Sequence, residues 1–502
     1  MTARSVKAFI TNTSSNIVFF IINSIIGFVS VPIFINYMGN EFYSLWLLNM
    51  TVMNYFIFLN TSLSGGIIKH VSESEELGDK KLQFQCINFS LLIYITIGFF
   101  ISVFLYSFSH TLAEFLSLDE DNVDIFISMI SISSIFAVIL WPMKVFEALF
   151  IGLMKQEVLN LVKGVITVST SLILILMLSQ GYSLKTLLCV FYILLSSIGL
   201  VLICIYKIYN PEYRCDLKIP NKKIRKSILS FSFKLMILEF IAMLSFQVDT
   251  LILAYFLPIS YVAIYSIVTK LFYVLQGIYS SLLSSVQPVI FRACKSNDTT
   301  YIKLFSEKLF RYSLIFYTPI IYLSAIFAQD FIFLWVGNEY SVYGLWSSVF
   351  ILQYALTPVV GVLGVVSIGM NKIRHIQIYG IFSALLNLTL SIVLVKYYGF
   401  GGVIIGTVIS TYIGVFIIFP YYCRNIGINP KSIVVKNLFP FLVLVLIMVT
   451  NLGLYSLVDI KTWFMFLSLF IIMTVPTMII MSLFLYKEDY MKIKSVFLRR
   501  IR

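Results

Sequence analysis

Apolar residues dominate this chain in stretches of about twenty, each closed by a short polar interruption, from one end to the other. Fourteen such stretches stand out: 16–38, 42–62, 83–108, 125–149, 157–179, 184–207, 229–257, 261–289, 305–328, 344–369, 376–395, 400–422, 434–456 and 462–486. A helix needs about 20 residues to cross the roughly 30 Å apolar core of a bilayer. Helices satisfy their own backbone hydrogen bonds, as a lipid environment demands. The residue-by-residue alternation of a transmembrane barrel is absent. The pattern therefore predicts an all-α integral membrane protein with about 14 transmembrane helices.

Charge sorts the interruptions. With the N-terminus inside, the inner loops hold Lys69, Lys80, Lys81 and Lys155, then Lys207, Arg214, Lys218, Lys222, Lys223, Arg225 and Lys226. Further inner loops carry Arg292, Lys295, Lys303, Lys372, Arg374, Arg424, Lys431 and Lys436, and a basic tail follows from Lys487. The outer loops hold only Lys185, Lys396 and Lys461, three of the chain's 36 basic residues. Miscounting one helix would scramble this alternation, so it supports the helix count and places both termini on the cytoplasmic side. The chain is 60% hydrophobic and 12% charged, against about 25% charged in soluble domains. Its net charge of +13 thus reads as cytoplasmic loop charge, with no nucleic-acid partner. The six cysteines are scattered, with no CxxC. The outer stretch DEDNVD, beginning at Asp119, reads as a solvated loop.

Short matches recur at one offset. GLMKQEV from Gly152 returns as GMNKIRH from Gly369, 217 positions on. YMGNEFY (Tyr37 to Tyr43) parallels YFLPISY (Tyr255 to Tyr261), and SQGYS around Gly181 parallels YYGFG around Gly399, each 218 positions on. The chain reads as two six-helix lobes, 1–209 and 228–425, joined by a basic cytoplasmic linker, 210–227. Two extra helices and the basic tail, 426–502, complete it. Six is even, so both lobes insert the same way up. Such parallel repeats place a substrate site between the halves near mid-membrane.

The residues YMGNEFYSLWLL, NTSLSGGIIKHVSE, QVDTLILAYFLPISYVAIYSIVTKLF, FLWVGNEY and the run GMNKIRHIQIYGIFSALLNLTLSIVLVKYYGFGGVIIGTVIS carry a resemblance over nearly the whole chain. The chain resembles the polysaccharide-type flippases of the multidrug/oligosaccharidyl-lipid/polysaccharide exporter superfamily. That resemblance implies a non-enzymatic translocase for O-antigen, lipopolysaccharide or capsule repeat units in the bacterial inner membrane. Its substrate would be a polyprenyl-diphosphate-linked oligosaccharide. Its partners would be membrane lipids, a glycan polymerase and a chain-length regulator. An acidic residue common in this family near the end of the second span is replaced here by Asn60.

Polar residues inside the spans are the candidate site. Asp249 and Lys270 flank the outer turn near Ile259 by about ten residues each, so both fall roughly 15 Å deep. They form either a buried structural pair or a site in which Asp249 keeps Lys270 charged for a phosphate. The eighth span carries Tyr261, Tyr265, Thr269, Tyr273, Gln276, Ser280, Ser284 and Gln287 at helical spacing. The second span offers Trp46, Asn49, Met53, Phe56, Asn60 and Ser64. Such faces suit sugars, or helix–helix hydrogen bonding. Glu239, with Lys234 nearby, is a candidate ion-coupling residue beside Asp249. Lys144 and Glu147, three apart, read as a helical ion pair. Pro32, Pro142, Pro288, Pro319, Pro358 and Pro476 mark bending points.

No P-loop, GxSxG or zinc-type spacing occurs, and no cofactor or metal site is expected. The rival readings are a cation-coupled multidrug exporter, which calls for acidic cavity residues, and a membrane-embedded glycan polymerase, which calls for catalytic outer loops.

Overall fold

The structure, a computed structural model, describes residues 3–116, 118–214, 220–295, 299–370, 372 and 374–486. Cys215, Lys218 and the basic tail from Lys487 lie outside the described residues. So do the side chains of Lys223, Lys234, Ser284, Pro288, Arg292, Lys295 and Arg374. All regular structure among the described residues is helical. In order these helices are α1 (Ala3–Asn54), α2 (Ile57–Glu76), α3 (Lys80–Phe115), α4 (Glu120–Gly152), α5 (Gln156–Ser179), α6 (Leu184–Tyr209), α7 (Lys222–Phe256) and α8 (Ser260–Lys295). Next come α9 (Thr299–Tyr312), a π-helical turn (Ser313–Tyr317), α10 (Thr318–Ile326), α11 (Ala328–Val336), α12 (Asn338–Ser341), α13 (Gly344–Leu352) and α14 (Thr357–Gly369). The chain closes with α15 (Arg374–Tyr398), α16 (Phe400–Ile426), α17 (Pro430–Tyr455) and α18 (Trp463–Ser482).

Twelve of these helical stretches are long and apolar enough to cross a membrane, among the described residues. The first of the twelve contains two rods, because α1 breaks at Gly39 (φ 72°, ψ 170°). The 35-residue α7 adds another rod. The fourteen expected spans are thereby accounted for, in a multi-pass membrane protein. The chain falls into two compact units, Met1–Ala263 and Ile264–Arg502.

The recurring motifs are recurring corners. In the first unit α4 ends in a tight turn whose Leu153 and Lys155 N–H groups donate to the carbonyls of Leu149 (2.9 Å) and Phe150 (2.9 Å). In the second unit, 217 positions on, Met370 and Lys372 donate to Val366 (3.0 Å) and Ser367 (2.9 Å). The glycines at offset 218, Gly181 (φ 75°) and Gly399 (φ 55°), both stand in the left-handed region just after α5 and α15. That conformation is open to glycine without a Cβ penalty. Helix lengths follow the same offset: moved 218 positions, α5 falls on 374–397, against Arg374–Tyr398 for α15.

Packing within each unit uses small residues as contact points. In the first unit Gly98 on α3 lies against the Ala137 carbonyl of α4, where a Cβ would stand 2.9 Å away. In the second, Gly402 and Gly406 on α16 form a GxxxG pair against Leu394 and Ser391 of α15. The added helix α17 is held by polar contacts as well as by apolar packing. Lys436 bonds Glu307 (2.8 Å), Arg311 Nε donates to Asn437 (2.9 Å), and Tyr455 donates to Asp330 (2.5 Å).

Two proline effects are visible. Pro319 lies at the start of α10 directly after the π turn, and Pro358 at the start of α14 directly after the break at 353–356. Each lacks the N–H that would continue the preceding helix. Pro32, Pro142 and Pro476 lie inside continuous helices.

Candidate functional site

In the first unit the helix of the second span is interrupted at Tyr55–Phe56, between α1 and α2. Beside this break lies a cavity of about 200 Å³, walled by α1, α2, α4 and α6. Its polar lining comes from Asn54, Asn60, Trp141, Lys144 and Tyr192, and its apolar lining includes Met53 and Phe191. Broken intramembrane helices are tolerated where they line a cavity, and they commonly mark transporter sites.

Two buried hydrogen-bond networks hold the walls. Asn49 Nδ2 donates to Ser133 Oγ (2.9 Å), and Tyr192 donates to Asn49 Oδ1 (3.2 Å). Ser133 and Tyr192 also share a hydrogen bond (2.9 Å). Asn49 is fully buried, so α1, α4 and α6 meet through its amide. On the other side Tyr94 donates to the Asn60 side-chain oxygen (3.1 Å), as does Ser64 (3.3 Å). Trp46 supports the wall from behind, edge-on to Phe191 (5.3 Å). The second-span stripe thus supplies both the cavity lining and its supports.

Lys144 does pair with Glu147, at 2.6 Å. Lys163 of α5 also meets Glu147, at 2.5 Å. The cluster therefore carries two lysines for one carboxylate. Counted at 1.5 Å per residue, Glu147, Lys163 and Lys144 lie about 7.5, 10.5 and 12 Å from the ends of α4 and α5 at the turn that joins them. The spacing of Lys144 and Glu147 reveals their pair, but Lys163 lies sixteen positions beyond Glu147 on another helix. Its only sequence signal was a lone lysine inside an apolar run.

Asp249, on α7 in the first unit, is buried, and its carboxylate acts electrostatically on the Tyr55 hydroxyl at the helix break. Tyr55 was not among the sequence candidates. Glu239, also on α7, is half-buried.

In the second unit Lys270 is partly buried on α8. Tyr265 is buried edge-on to Phe350 (6.0 Å), and Thr269 is buried with its hydroxyl donating to the Tyr265 carbonyl (2.7 Å). Tyr273 is exposed, and Gln276 shares a hydrogen bond with Tyr354. Behind this face Tyr279 donates to the Pro358 carbonyl (2.6 Å) and Tyr317 to the Leu275 carbonyl (2.6 Å), their rings 4.9 Å apart. This tyrosine cluster ties α8 to the proline-bounded breaks, a tie between residues far apart in sequence.

The acidic DEDNVD stretch, expected from the sequence to be a loop, is instead the start of α4: Asp119 precedes the helix without a side-chain capping bond, and Glu120 and Asp121 occupy its first turn. Carboxylates there complement the helix dipole.

A multi-pass helical bundle with a broken helix beside a polar cavity defines an all-α membrane protein. The profile described as "Polysaccharide biosynthesis protein" matches residues 9–294, and the chain belongs to that family. Curated protein sequences give no match. Among solved structures, the lipid II flippase MurJ in an inward closed conformation superposes with a TM-score of 0.74 at 14% identity, covering 94% of this chain and 99% of that one. An inward-facing multidrug resistance MATE family transporter of the MOP superfamily gives 0.63 at 15% identity, covering 83% and 98%. A MOP superfamily transporter from Pyrococcus furiosus gives 0.61 at 14% identity, covering 84% and 96%. At these identities the likeness establishes the MOP-type fold.

Proposed function

We propose that this protein is a flippase that moves a polyprenyl-diphosphate-linked oligosaccharide, an O-antigen or capsular repeat unit, from the cytoplasmic to the outer leaflet of a bacterial inner membrane. The observation that carries the reading is an intramembrane cavity lined by amides, aromatic rings and a lysine in a member of the polysaccharide biosynthesis family. Amides and aromatic edges suit sugars, and a lysine suits a phosphate. The MurJ-like fold supports a lipid-linked substrate. The basic inner loops favour cytoplasmic termini. In this reading the two six-helix lobes and the linker at 210–227 alternate access to the substrate path. Lys270 meets anionic substrate along that path, with Asp249 keeping it charged, and Tyr265, Thr269, Tyr273 and Gln276 belong to the same path. Asp249 and Glu239 are the candidates for ion coupling. A glycan polymerase and a chain-length regulator would act on the product.

Cation-coupled drug export on the same fold is the rival, and it is less well matched because, among the described residues, no carboxylate lines the first-unit cavity. The test is the sidedness of lipid-linked oligosaccharide in cells lacking the gene, with and without the wild-type protein. Single units held on the cytoplasmic face, and cleared only by the wild type, are expected. Single units on the outer face would favour the polymerase, and no accumulation would favour drug export. A Lys270/Asp249 double replacement by apolar residues, at normal protein levels, should lose transport; full transport would remove the pair from the path.

A further inference from the structure

We infer that the groove between α1 and α5 is a binding site for a phospholipid with a primary-ammonium headgroup, its ammonium paired with Glu157 and one acyl chain laid along the two helices. The inference is independent of the flippase reading, since it uses another face of the first unit and a ligand group of opposite charge.

Place is the first argument. The groove encloses about 820 Å³ and is lined on α1 from Thr11 to Ile22 and on α5 from Glu157 to Ser169. Both helices begin their membrane-spanning stretches at this end, α1 at Ser14 and α5 at Gln156. At 1.5 Å per residue the lining runs about 17–18 Å from there, close to the roughly 15 Å of one leaflet's share of the apolar core. Polarity follows depth. Ser14, Ser15, Glu157 and Asn160 stand at the mouth, and Val18, Ile22, Leu161, Val165 and Val168 line the deeper part as far as Ser169. Gly164 opens the floor, because a Cβ there would meet only Phe19, at 3.8 Å. A polar mouth at headgroup level above an apolar trough one leaflet deep has the outline of a lipid.

Charge is the second argument, and it selects the headgroup. The two helices are tied at the mouth by paired amides. Asn12 Nδ2 donates to the Met154 carbonyl (3.0 Å), the Gln156 N–H to Asn12 Oδ1 (3.1 Å), and Asn160 Nδ2 to Ser15 Oγ (3.0 Å). Glu157 stands beside these bonds and takes no part in them. Its Oε2 is buried without a hydrogen-bond partner, an arrangement that costs free energy until a donor arrives. Lys163, six positions on, is engaged by Glu147 (2.5 Å). Among the described residues the groove lining holds no charged side chain besides Glu157, so it attracts a cation and repels an anionic headgroup. A primary ammonium brings N–H donors to the carboxylate, which a quaternary ammonium cannot.

The experiment is native mass spectrometry of the purified full-length protein in detergent, titrated with dioleoyl phosphatidylethanolamine, phosphatidylcholine and phosphatidylglycerol. The wild type should retain phosphatidylethanolamine about ten-fold more tightly than either of the others, the range expected for one charge-assisted hydrogen bond. Glu157→Gln should abolish that preference. Its melting temperature should match wild type without lipid and fall short of it only when phosphatidylethanolamine is present. Gly164→Leu, which leaves Glu157 in place and fills the floor, should weaken all three lipids alike. The inference is overturned if wild type binds none of the lipids, binds all three equally or prefers phosphatidylglycerol. It is overturned equally if Glu157→Gln keeps the wild-type preference, or if that variant loses the same stability with and without lipid, the pattern of a carboxylate that serves only the helix dipole of α5. Gly164→Leu binding every lipid like wild type would remove the acyl chain from the groove and overturn it too.

Discussion

Asn49 shows how one side chain organises a wall of the cavity. Its amide is fully buried and bonds residues 84 and 143 positions away, on α4 and α6. Replacing it by leucine leaves the Ser133 and Tyr192 hydroxyls short of partners, at about 1–3 kcal/mol. Asn49→Leu should therefore melt at lower temperature in detergent, and an unchanged melt would show that the network contributes no stability. A second residue-scale prediction concerns the corner after α2. Glu75 accepts from Lys80 (2.8 Å) and Gln83 (2.9 Å). The bond from Lys80 holds the Glu75 carboxyl below its ordinary value of 4.5. A depressed folded pKa means the contact stabilises above about pH 4.5 and is lost as pH falls through the folded value. Glu75→Gln should flatten the acid limb of a stability-versus-pH curve and leave its high-pH end parallel to wild type. The spacing of Lys144 and Glu147 was readable along the chain. The partners of Asn49 and the role of Lys163 were not, because each depends on helices brought together from distant positions.

At the scale of elements, hydrophobic length and turn chemistry did most of the work. Runs of about twenty apolar residues gave the spans, and the glycines at 39, 181 and 399 stand at the corners where their positive φ is used. The interruption at Tyr55–Phe56 was hidden, since no proline or glycine marks it, whereas the one at 353–356 lies just before Pro358, one of the expected bending points. Helix pairing is set by close approach. A Cβ on Gly402 would stand 2.1 Å from the Leu394 carbonyl oxygen, and one on Gly406 would stand 2.8 Å from the Ser391 nitrogen. Gly402→Val should force α15 and α16 apart and lower the yield of folded, monodisperse protein several-fold. Yield equal to wild type would mean that the hairpin has another packing available. Cysteine labelling adds a check on α8. Tyr273→Cys should react with water-soluble thiol reagents if its exposed position faces the substrate path, and complete protection would place that face against lipid.

For the whole molecule, the 217–218 offset links sequence to architecture. The same backbone hydrogen bonds close the corner after α4 and the corner after α14, in separate units. The added helices α17 and α18 belong to the second unit; α17 is clamped through Lys436, Asn437 and Tyr455, and its Asn451 bonds Thr477 of α18. Removing this clamp with Glu307→Ala, Arg311→Ala and Asp330→Ala together should expose the α17–α18 segment to limited proteolysis while the rest of the chain remains resistant. Uniform resistance would show that apolar packing alone holds the two helices.

Along the chain, hydrophobic periodicity, the sorting of lysines and arginines, and the repeated corners determined a membrane protein of about fourteen rods. Those properties are local: a bilayer selects segments by length and apolarity, and a turn selects glycine by its backbone angles. The tertiary structure decided which polar residues converge. It placed Asn60, Lys144 and Tyr192 around one cavity and gave Glu147 two lysines from different helices. Charge balance in a low-dielectric interior is a property of neighbours in space, and the helix-to-helix packing that creates those neighbours is set by contacts between residues far apart in the chain.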